Sequence, residues 1–448
     1  MSVGGAPYLA RLTLQIASSS LSDECRATAR QHLLDALACA SIGCRLAAFR
    51  GLAALCGGLE NGYARPGGGQ ERVGAADAGM LWAYAINASV FEDGSREGAC
   101  HPAAVVIPAV IALSRDRGWD IIDKAVVAGY DVMVRLARCG NPQFSRRGFH
   151  PTAIVAPFGA AATAAVLLGH DPLTTQNALS IAALGSSGLM AAFKSGPTQP
   201  LQVAWGVRNG LTAAFLAGGG HEGYGRIIED GFFPAYLGHD PLVPLHQPLE
   251  YEYAVLGSYL KAYPGCRHLH PAIDAFAQVE QAHQISLAQI KAIRVGTYRI
   301  AVETEIHDLK NRGDAYFNLP YALAARAVLG NNNYDAFAER HFADARLLDL
   351  MKKIEVRIDP EIERRYPKQR GARVEVDTID GRSLAGIVEH PLGEPENPLP
   401  PAFTRAKFRE AAGAFLAEDE MERVAGLLDL TGPPEAAANL FAAVCGSR

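Results

Sequence analysis

The uncharged run 151–169, which follows directly on His150, constrains the fold of this chain most strongly. Pro151 opens the run, and proline is favoured at the first position of a helix. The pattern therefore predicts a helix that begins at Pro151, with His150 at or near its N-cap. The run is long enough for a membrane span. Its two prolines and its many Ala and Gly residues favour instead a buried core helix that its neighbours approach closely.

The start of this predicted helix has the character of an anion site. A helix N-terminus carries unpaired N–H groups and about half a positive charge, so it attracts anions. Arg146, Arg147 and His150 add cationic or hydrogen-bonding side chains at the same point. We therefore expect a carboxylate to bind there.

The same His-Pro start recurs at residues 101–102 and 270–271. In the stretches that begin at His101 and His150, a second proline follows six residues after the first. Each histidine taken alone could be a polar helix cap. Three histidines at three predicted helix starts indicate a functional set.

Composition excludes several classes of partner. The net charge of -5 gives no general attraction to nucleic acid or to anionic lipid, so an anion has to be bound by a local basic pocket. The first 20 residues lack the basic start and the apolar core of a signal peptide. Eight cysteines in 448 residues, without zinc-like spacing, predict a cytoplasmic protein with reduced thiols and no metal site.

Hydrophobic periodicity divides the chain into a helical part and a mixed part. The glycine-rich stretch 57–74 lacks a Gly-Lys-Ser/Thr ending, so we interpret it as a surface loop and not a P-loop. After about residue 260, β-type alternation appears, and Asp380-Gly381 predicts a hairpin with a primed turn. The predicted helical segments are 8–56, 75–113 (broken at 92–98), 119–140, 171–218, 269–282, 318–330 and 403–441, and the predicted strands lie around 293–295, 354–358, 373–377 and 384–388.

Two further groups are candidates for chemistry. Residues 261–271 hold Lys261, Arg267, His268 and His270, which predicts a pocket for a substrate with several carboxylates; a basic surface loop is the alternative. Glu92 and Asp93 precede His101, and carboxylates beside a histidine suit acid/base work, with a solvated loop as the alternative. Tyr321 could be a packed core aromatic or a proton donor.

These motifs resemble the MmgE/PrpD family along nearly the whole chain. The resemblance implies a mostly α fold, with a large all-helical domain built from both chain ends and a smaller α+β lid. It implies domain bounds of 1–258 and 403–448 for the first domain and 259–402 for the second. Members are typically homodimers without metal or organic cofactor. The matching stretches are residues 101–102, GFHPT at 148–152, SGLM at 187–190, YPGCRHLHPAID at 263–274, FNLPYALA at 317–324, and residues 395–399 and 407–408.

The resemblance also assigns site residues. It places His101, His150, Lys261 and Tyr321 in the active site, together with His268, and it aligns Asp93 with the last residue of an acidic motif. This chain departs from the family at three points. The first aspartate of the acidic motif has no counterpart, Gln199 replaces a common lysine (for which nearby Lys194 is a candidate substitute), and Cys266 replaces a histidine.

The sequence thus predicts a lyase that removes a proton next to a carboxylate of a small di- or tricarboxylate. The leading hypothesis is a dehydratase of the 2-methylcitrate type; the alternatives are a dicarboxylate epimerase and a binding protein with reduced activity. His150 or His268 would be the base, and Tyr321 or His101 the acid. The expected substrate-binding residues are Arg267, Arg147, Thr152, Gln199, Lys194 and Cys266.

Overall fold

The predicted core helix is present as α8 (Pro151–Leu168). His150 is its extended N-cap residue, Pro151 opens its first turn, and Gly169 ends it in the left-handed conformation at φ 71°. The helix is long and apolar enough to cross a membrane, but 94% of it is buried inside the protein. Both predictions for this run, a helix from Pro151 and a buried core position, are confirmed.

The computed structural model describes residues 4–56, 63–64, 72–114, 117–194, 196, 198–413 and 416–427. The chain divides into two compact units. The first unit comprises Met1–Tyr259 and Pro400–Arg448, and the second comprises Leu260–Leu399.

Among the described residues, the first unit is helical apart from loops and two short antiparallel strand pairs. Its helices are α1 (Gly5–Ser18), α2 (Asp23–Gly43), α3 (Ala47–Leu55), α4 (Ala75–Ala88), α5 (Ala103–Leu113), α6 (Trp119–Gly140), α7 (Gln143–Arg146), α8, α9 (Pro172–Ala182), α10 (Gln199–Gly218), α11 (Phe233–Leu237), α12 (Leu242–His246), α19 (Pro401–Ala412) and α20 (Glu418–Leu427). Its strands are β1 (Tyr63–Ala64), β2 (Arg72–Val73), β3 (Gly94–Ser95) and β4 (Ser258–Tyr259).

Small residues allow α6 and α10 to pack closely against α8. A Cβ atom added at Gly210 of α10 would lie 2.3 Å from the carbonyl oxygen of Pro157, and one added at Gly206 would lie 2.6 Å from the Cβ of Ala156. On the other side, a Cβ at Gly129 of α6 would lie 2.2 Å from the Thr163 hydroxyl oxygen. These glycines are therefore required by close helix approach, as the Ala/Gly-rich sequence predicts.

The second unit contains a four-stranded sheet with the order β6-β5-β7-β8. Strands β5 and β6 are parallel, and the other neighbours are antiparallel. Helix α13 packs against β7 and β8. The elements are α13 (His270–His283), β5 (Ile290–Thr297), α14 (Arg299–Glu303), α15 (Arg312–Ala315), α16 (Leu319–Leu329), α17 (Ala345–Met351), β6 (Ile354–Ile358), α18 (Pro360–Arg365), β7 (Ala372–Thr378) and β8 (Ser383–Val388).

The hairpin of β7 and β8 is confirmed, but its predicted primed turn is wrong. Such turns need a positive φ at the first central residue, whereas Gly381 is the only residue of this connection with a positive φ, at 85°. The Gly381 N–H donates to the Thr378 carbonyl and the Thr378 N–H to the Arg382 carbonyl. This is an ordinary turn followed by a left-handed glycine bulge, because the loop contains more residues than the Asp-Gly pair.

Two sequence predictions extend beyond the described residues. The glycine-rich stretch 57–74 lies largely outside them, apart from β1 and β2 and Gly74. The helical tail is present as α19 and α20, and the remainder of the predicted segment, 428–441, lies outside the described residues. The predicted segments 119–140, 269–282 and 318–330 coincide closely with α6, α13 and α16.

Candidate active site

The loop between α4 and α5 carries three candidate residues of the first unit, Glu92, Asp93 and His101. It is not a solvated loop, because Glu92 is 2% exposed and Asp93 is fully buried. Two non-glycine residues, Val90 (φ 52°) and Ala99 (φ 49°), adopt the left-handed conformation near its ends. Such strain persists only where the surroundings fix the backbone, and it clusters at functional sites.

Asp93 is the centre of a buried hydrogen-bond network. Its Oδ2 accepts from Tyr130 at 2.8 Å and lies 2.8 Å from Nδ1 of His32, while its Oδ1 accepts from the Ala103 N–H at 2.9 Å. Burial, and then the Asp93 charge, raise the pKa of Tyr130 well above its usual value, so this phenol stays a donor. Asp93 therefore holds the start of α5 next to the side chains of His32 and Tyr130.

His101 is held in one tautomer. Its Nδ1 lies 2.5 Å from the Asp93 carbonyl oxygen, which can only accept, so Nδ1 carries a hydrogen. The backbone N–H of His101 donates to the Thr152 hydroxyl of α8 at 3.2 Å. The imidazole is about a quarter exposed, at 27%. The Nδ1 atom of His101 is therefore a hydrogen-bond donor to the loop backbone.

His150 is buried and neutral. It is 4% exposed, and burial followed by the charge of His101 lowers the pKa of its imidazole to about 3. Its Nδ1 has no hydrogen-bond partner among the described residues. A buried nitrogen left in this state costs about 1–3 kcal/mol, which a bound polar group would relieve.

The N-terminus of α8 adds donors beside His150. Pro151 has no N–H, and the Ile154 N–H already donates to the His150 carbonyl at 3.1 Å. The N–H groups of Thr152 and Ala153 belong to the first turn, which has no intrahelical acceptors. The geometry thus combines an imidazole with a helix N-terminus, as the carboxylate prediction requires.

The segment 186–194 covers this helix start. The His150 N–H donates to the Gly188 carbonyl at 3.1 Å, and the Met190 N–H donates to the Gly148 carbonyl at 2.9 Å. A Cβ at Gly188 (φ 154°) would lie 2.5 Å from the Ala153 Cβ. Phe193 packs edge-on against the His150 ring, with centroids 5.0 Å apart. These contacts fix the orientation of the His150 imidazole.

Gln199 lies at the first turn of α10 and is 9% exposed. Its Nε2 donates to Oδ1 of Asn87 at 2.9 Å, and Nδ2 of Asn87 donates to Oε1 of Glu92 at 2.8 Å. That Glu92 oxygen lies 3.7 Å from Nδ1 of His101. Gln199 is thus connected to His101 through two buried side chains.

Lys407 of α19 supports the same loop from the far end of the chain. Its Nζ donates to Asp35 Oδ1 at 2.6 Å and to the Phe91 carbonyl at 2.8 Å, and it lies 3.6 Å from the Phe91 ring centroid. Desolvation disfavours the ammonium ion and is the largest single effect, but the Asp35 charge and hydrogen bond, together with the nearby Cys39 and Glu92, outweigh it and raise the pKa of Lys407. The lysine is therefore a buried cation that anchors the residue preceding Glu92.

Two expected cationic ligands of the first unit lie at the surface. Arg147 follows α7 and is exposed, and Lys194 is exposed at the end of the segment that covers α8. Thr152 is fully buried, and its hydroxyl accepts the His101 N–H. Of the expected first-unit residues, the structure brings together His101, His150, Asp93, Thr152 and Gln199.

The remaining candidates belong to the second unit. Arg267 is 4% exposed and donates to Glu394, to the carbonyls of Leu392 and Pro391, and to Nδ1 of His270. A guanidinium engaged in this way holds the segment 391–394 in place. The assignment of Arg267 to substrate binding stays a prediction.

His268 and Tyr321 are both engaged with neighbours in the second unit. Nδ1 of His268 lies 2.6 Å from the Tyr298 hydroxyl, and desolvation, followed by the charge of Arg370, lowers the pKa of His268 to about 3. Tyr321 is fully buried and donates to the Ala336 carbonyl at 2.7 Å, and burial raises its pKa. Tyr321 is thus packed in the core of the second unit, and its role as a proton donor stays a prediction.

Lys261 and Cys266 lie near each other in the second unit. Lys261 is 1% exposed. Burial raises the pKa of the Cys266 thiol, and the Lys261 charge opposes this effect. Their assignment to substrate binding stays a prediction.

Sequence reasoning missed four residues that the structure places in the site: His32, Tyr130, Asn87 and Lys407 as an ion-pair partner. His32 and Tyr130 are 61 and 37 residues from Asp93 in the chain. No local spacing connects them, since the contacts arise only when α2 and α6 pack around the loop. The available signal, for Asn87 and Tyr130, is a polar group inside an otherwise apolar helical stretch.

Two kinds of comparison with known proteins, with family models and with single relatives, point to the same family. The MmgE/PrpD N-terminal domain model matches residues 8–244, and the MmgE/PrpD C-terminal domain model matches residues 263–428. Cis-aconitate decarboxylase of Aspergillus terreus is 26% identical, over 92% of this chain and 90% of that protein. Cis-aconitate decarboxylases of Homo sapiens and Mus musculus are 26% and 24% identical, each over 77% of this chain and over 74% and 73% of their own lengths. The chain belongs to the MmgE/PrpD family.

Proposed function

We propose that this protein is a lyase that moves a proton at the carbon beside a carboxylate of a small tricarboxylate. The observation that carries the proposal is that His101, whose N–H donates to the Thr152 hydroxyl, and a neutral His150 both lie at the N-terminus of α8. The similarity to cis-aconitate decarboxylases supports the lyase class and the tricarboxylate.

A substrate carboxylate binds at the start of α8. The N–H groups of Thr152 and Ala153 and the helix dipole attract the anion. The same donors stabilise the enediolate-like charge that develops when the neighbouring carbon loses a proton. The helix N-terminus suits this task, because its partial positive charge comes from backbone N–H groups, which do not titrate.

The two histidines take opposite roles. His150 is neutral, so it is the base that accepts the proton from carbon, and a bound carboxylate raises its affinity for that proton. His101, beside Glu92, is the acid that donates through Nε2. A pair of groups whose environments favour opposite protonation states is the usual arrangement for acid/base catalysis.

The more specific proposal is dehydration. His150 takes the C–H proton, the carbon–carbon double bond forms, and the hydroxyl group leaves as water with the proton of His101. Gln199 favours this reaction over decarboxylation because it is neutral and engaged with Asn87, so it offers no cation to a carbanion formed by loss of carbon dioxide.

Decarboxylation of cis-aconitate is the second candidate, favoured by the names of the relatives. In this reaction the carboxylate leaves as carbon dioxide and His101 protonates the remaining carbon. Lys261 and His268 stay as predicted contributors from the second unit, without an assigned step.

The test is proton NMR of the protein in heavy water with citrate, 2-methylcitrate, cis-aconitate and iminodisuccinate. New vinyl signals from citrate or 2-methylcitrate support dehydration, and a new vinyl product from cis-aconitate supports decarboxylation. Deuterium uptake into iminodisuccinate alone would favour an epimerase. Ligand-induced thermal stabilisation without any turnover would favour a binding protein and contradict the proposal.

A further inference from the structure

Two buried amide side chains connect α10 to the loop between α4 and α5, which carries Glu92 and His101. Gln199, Asn87 and Glu92 are 9%, 1% and 2% exposed. They form a chain of hydrogen bonds of 2.9 and 2.8 Å that ends at the Glu92 carboxylate, 3.7 Å from His101. We call Asn87 and Gln199 the amide clamp.

The direction of these hydrogen bonds follows from the carboxylate. Glu92 in its ionised form can only accept, so Asn87 must present its NH₂ group to Glu92 and its carbonyl oxygen to Gln199. Gln199 must then present its own NH₂ group to Asn87. Reversing either amide would bring two oxygen atoms, or two donor groups, face to face, so the clamp has one favourable arrangement.

We propose that the amide clamp holds the Glu92 carboxylate beside His101 and thereby favours the imidazolium form of His101. Asn87 and Gln199 are then positioning residues, and Gln199 does not contact substrate. The assignment of a catalytic task to His101 rests on the proposed function, whereas the contacts themselves do not.

The loop backbone limits where Glu92 can turn. Lys407, a cation that interacts electrostatically with Glu92, is held by Asp35 and by the Phe91 carbonyl. Val90, in the left-handed conformation, and Phe91, whose N–H donates to the Ser89 hydroxyl at 3.1 Å, fix the chain just before Glu92. With the backbone fixed, the Glu92 side chain can still rotate, and the clamp restricts this rotation.

An opposite charge within about 4–6 Å favours the charged form of a histidine. The clamp keeps Glu92 inside this distance, whereas His150 on α8 opposes a second positive charge nearby. Other titratable groups packed around this loop include Asp93 itself, His32, Asp35 and Cys39 of α2, Tyr130 of α6 and Lys407 of α19.

The test is a histidine titration by NMR, with ring carbons labelled and the His101 signal assigned by its loss in His101→Gln. Glu92→Gln and Asn87→Leu should each lower the titration midpoint of His101 by about one pH unit. Gln199→Met should lower it in the same direction by less, because it removes only the outer hydrogen bond. A midpoint that moves in Glu92→Gln but stays at the parent value in both clamp variants would overturn the proposal, as would no movement in any variant.

Asn177→Leu is the matched control, since Asn177 is a buried asparagine of α9 whose Oδ1 accepts from the Gly223 N–H. Its His101 midpoint should equal that of the parent. If Asn87→Leu fails to fold, Gln199→Met decides the outcome alone. The titration needs no turnover, so a parent protein inactive on every tricarboxylate would defeat the proposed function and leave this test intact.

Discussion

At the scale of single residues, the two histidines of the first unit differ in what fixes their protons. His101 is held by the Asp93 carbonyl, which sets its tautomer, while His150 is kept neutral mainly by burial. A neutral buried histidine has a measurable consequence, because its pKa differs between the folded and unfolded states.

We predict that His150 makes the protein less stable as the pH falls from about 6.5 toward 3. In this range the unfolded chain binds a proton at residue 150 and the folded protein does not, because the folded pKa is about 3. The free energy of unfolding should therefore decrease by up to about 1.4 kcal/mol per pH unit from this group. Denaturant titrations of the parent and of His150→Asn at several pH values measure the difference in slope.

The exposed His283 provides the control. His283→Asn should keep the parent's pH dependence, whereas His150→Asn should show a shallower one above pH 3. Equal slopes for the parent and His150→Asn would show that His150 is protonated in the folded state.

Residue-level prediction from sequence succeeded where one local pattern carried the information. His150 at the start of a helix follows from Pro151 and the apolar run, and the structure confirms it. The sequence could not predict that Arg267 is engaged inside the second unit, because its partner Glu394 is 127 residues away. A basic residue in a loop looks the same whether it binds a substrate or a distant carboxylate.

At the scale of elements, the loop between α4 and α5 stores backbone strain near the proposed acid. Ala99 adopts φ 49°, a conformation that costs a residue with a Cβ about 1–2 kcal/mol and glycine much less. We predict that Ala99→Gly stabilises the protein by up to about 1 kcal/mol, measured as a higher midpoint of denaturant unfolding. A lower midpoint would mean that the methyl group of Ala99 contributes more by packing than its backbone conformation costs.

Helix α10 provides a second test, of how closely it packs against α8. Gly210→Ala should destabilise the protein by at least about 1–3 kcal/mol, because the new methyl group would meet the Pro157 carbonyl oxygen at 2.3 Å. Thermal unfolding measures this loss.

Gly51→Ala is the matched control for that substitution. Gly51 lies in α3 with no atom within 4 Å of an added Cβ, so the change should preserve or raise the melting temperature through helix propensity alone. A melting temperature of Gly210→Ala equal to that of the parent would show that the two helices are farther apart.

The prediction of helices and strands succeeds where a periodic pattern extends over a long stretch. It fails where the geometry depends on the type of turn. The strands β6, β7 and β8 follow from alternation, because one face of each is more buried than the other. Four residues connect β7 and β8, two more than the Asp-Gly pair. The length of this connection, and not the dipeptide alone, selects the type of turn.

At the scale of the whole molecule, the end of the chain completes the first unit. Lys407 of α19 is 6% exposed and pairs with Asp35, which is 372 residues away and 1% exposed. Burial raises the pKa of Asp35, and Lys407 opposes this effect. A buried ion pair of this kind is costly to break, because the remaining charge has no partner.

We predict that Lys407→Met and Asp35→Leu each destabilise the protein by about 3–5 kcal/mol, and that the double variant loses much less than the sum. Unfolding free energies for the four proteins of this cycle give the coupling directly. Additive losses would show that the two groups do not interact in solution.

The sequence alone carries only part of this long-range organisation. Periodicity predicts a helical tail, the family resemblance implies that this tail joins the first domain, and α19 belongs to the first unit. Its ionic partner could not be predicted, because any of the acidic residues of the chain could face Lys407 until the fold is known.

The central claim is that His101 and His150 transfer protons on a tricarboxylate bound at α8. The most direct measurement is the turnover of the parent, His101→Gln, His150→Asn and the exposed control His283→Asn, with the compound that the NMR screen identifies. We predict a loss of at least about 100-fold in kcat for each active-site variant, with retained folding, and parent-like turnover for the control. Folded His101 and His150 variants with turnover equal to the parent's would contradict the account.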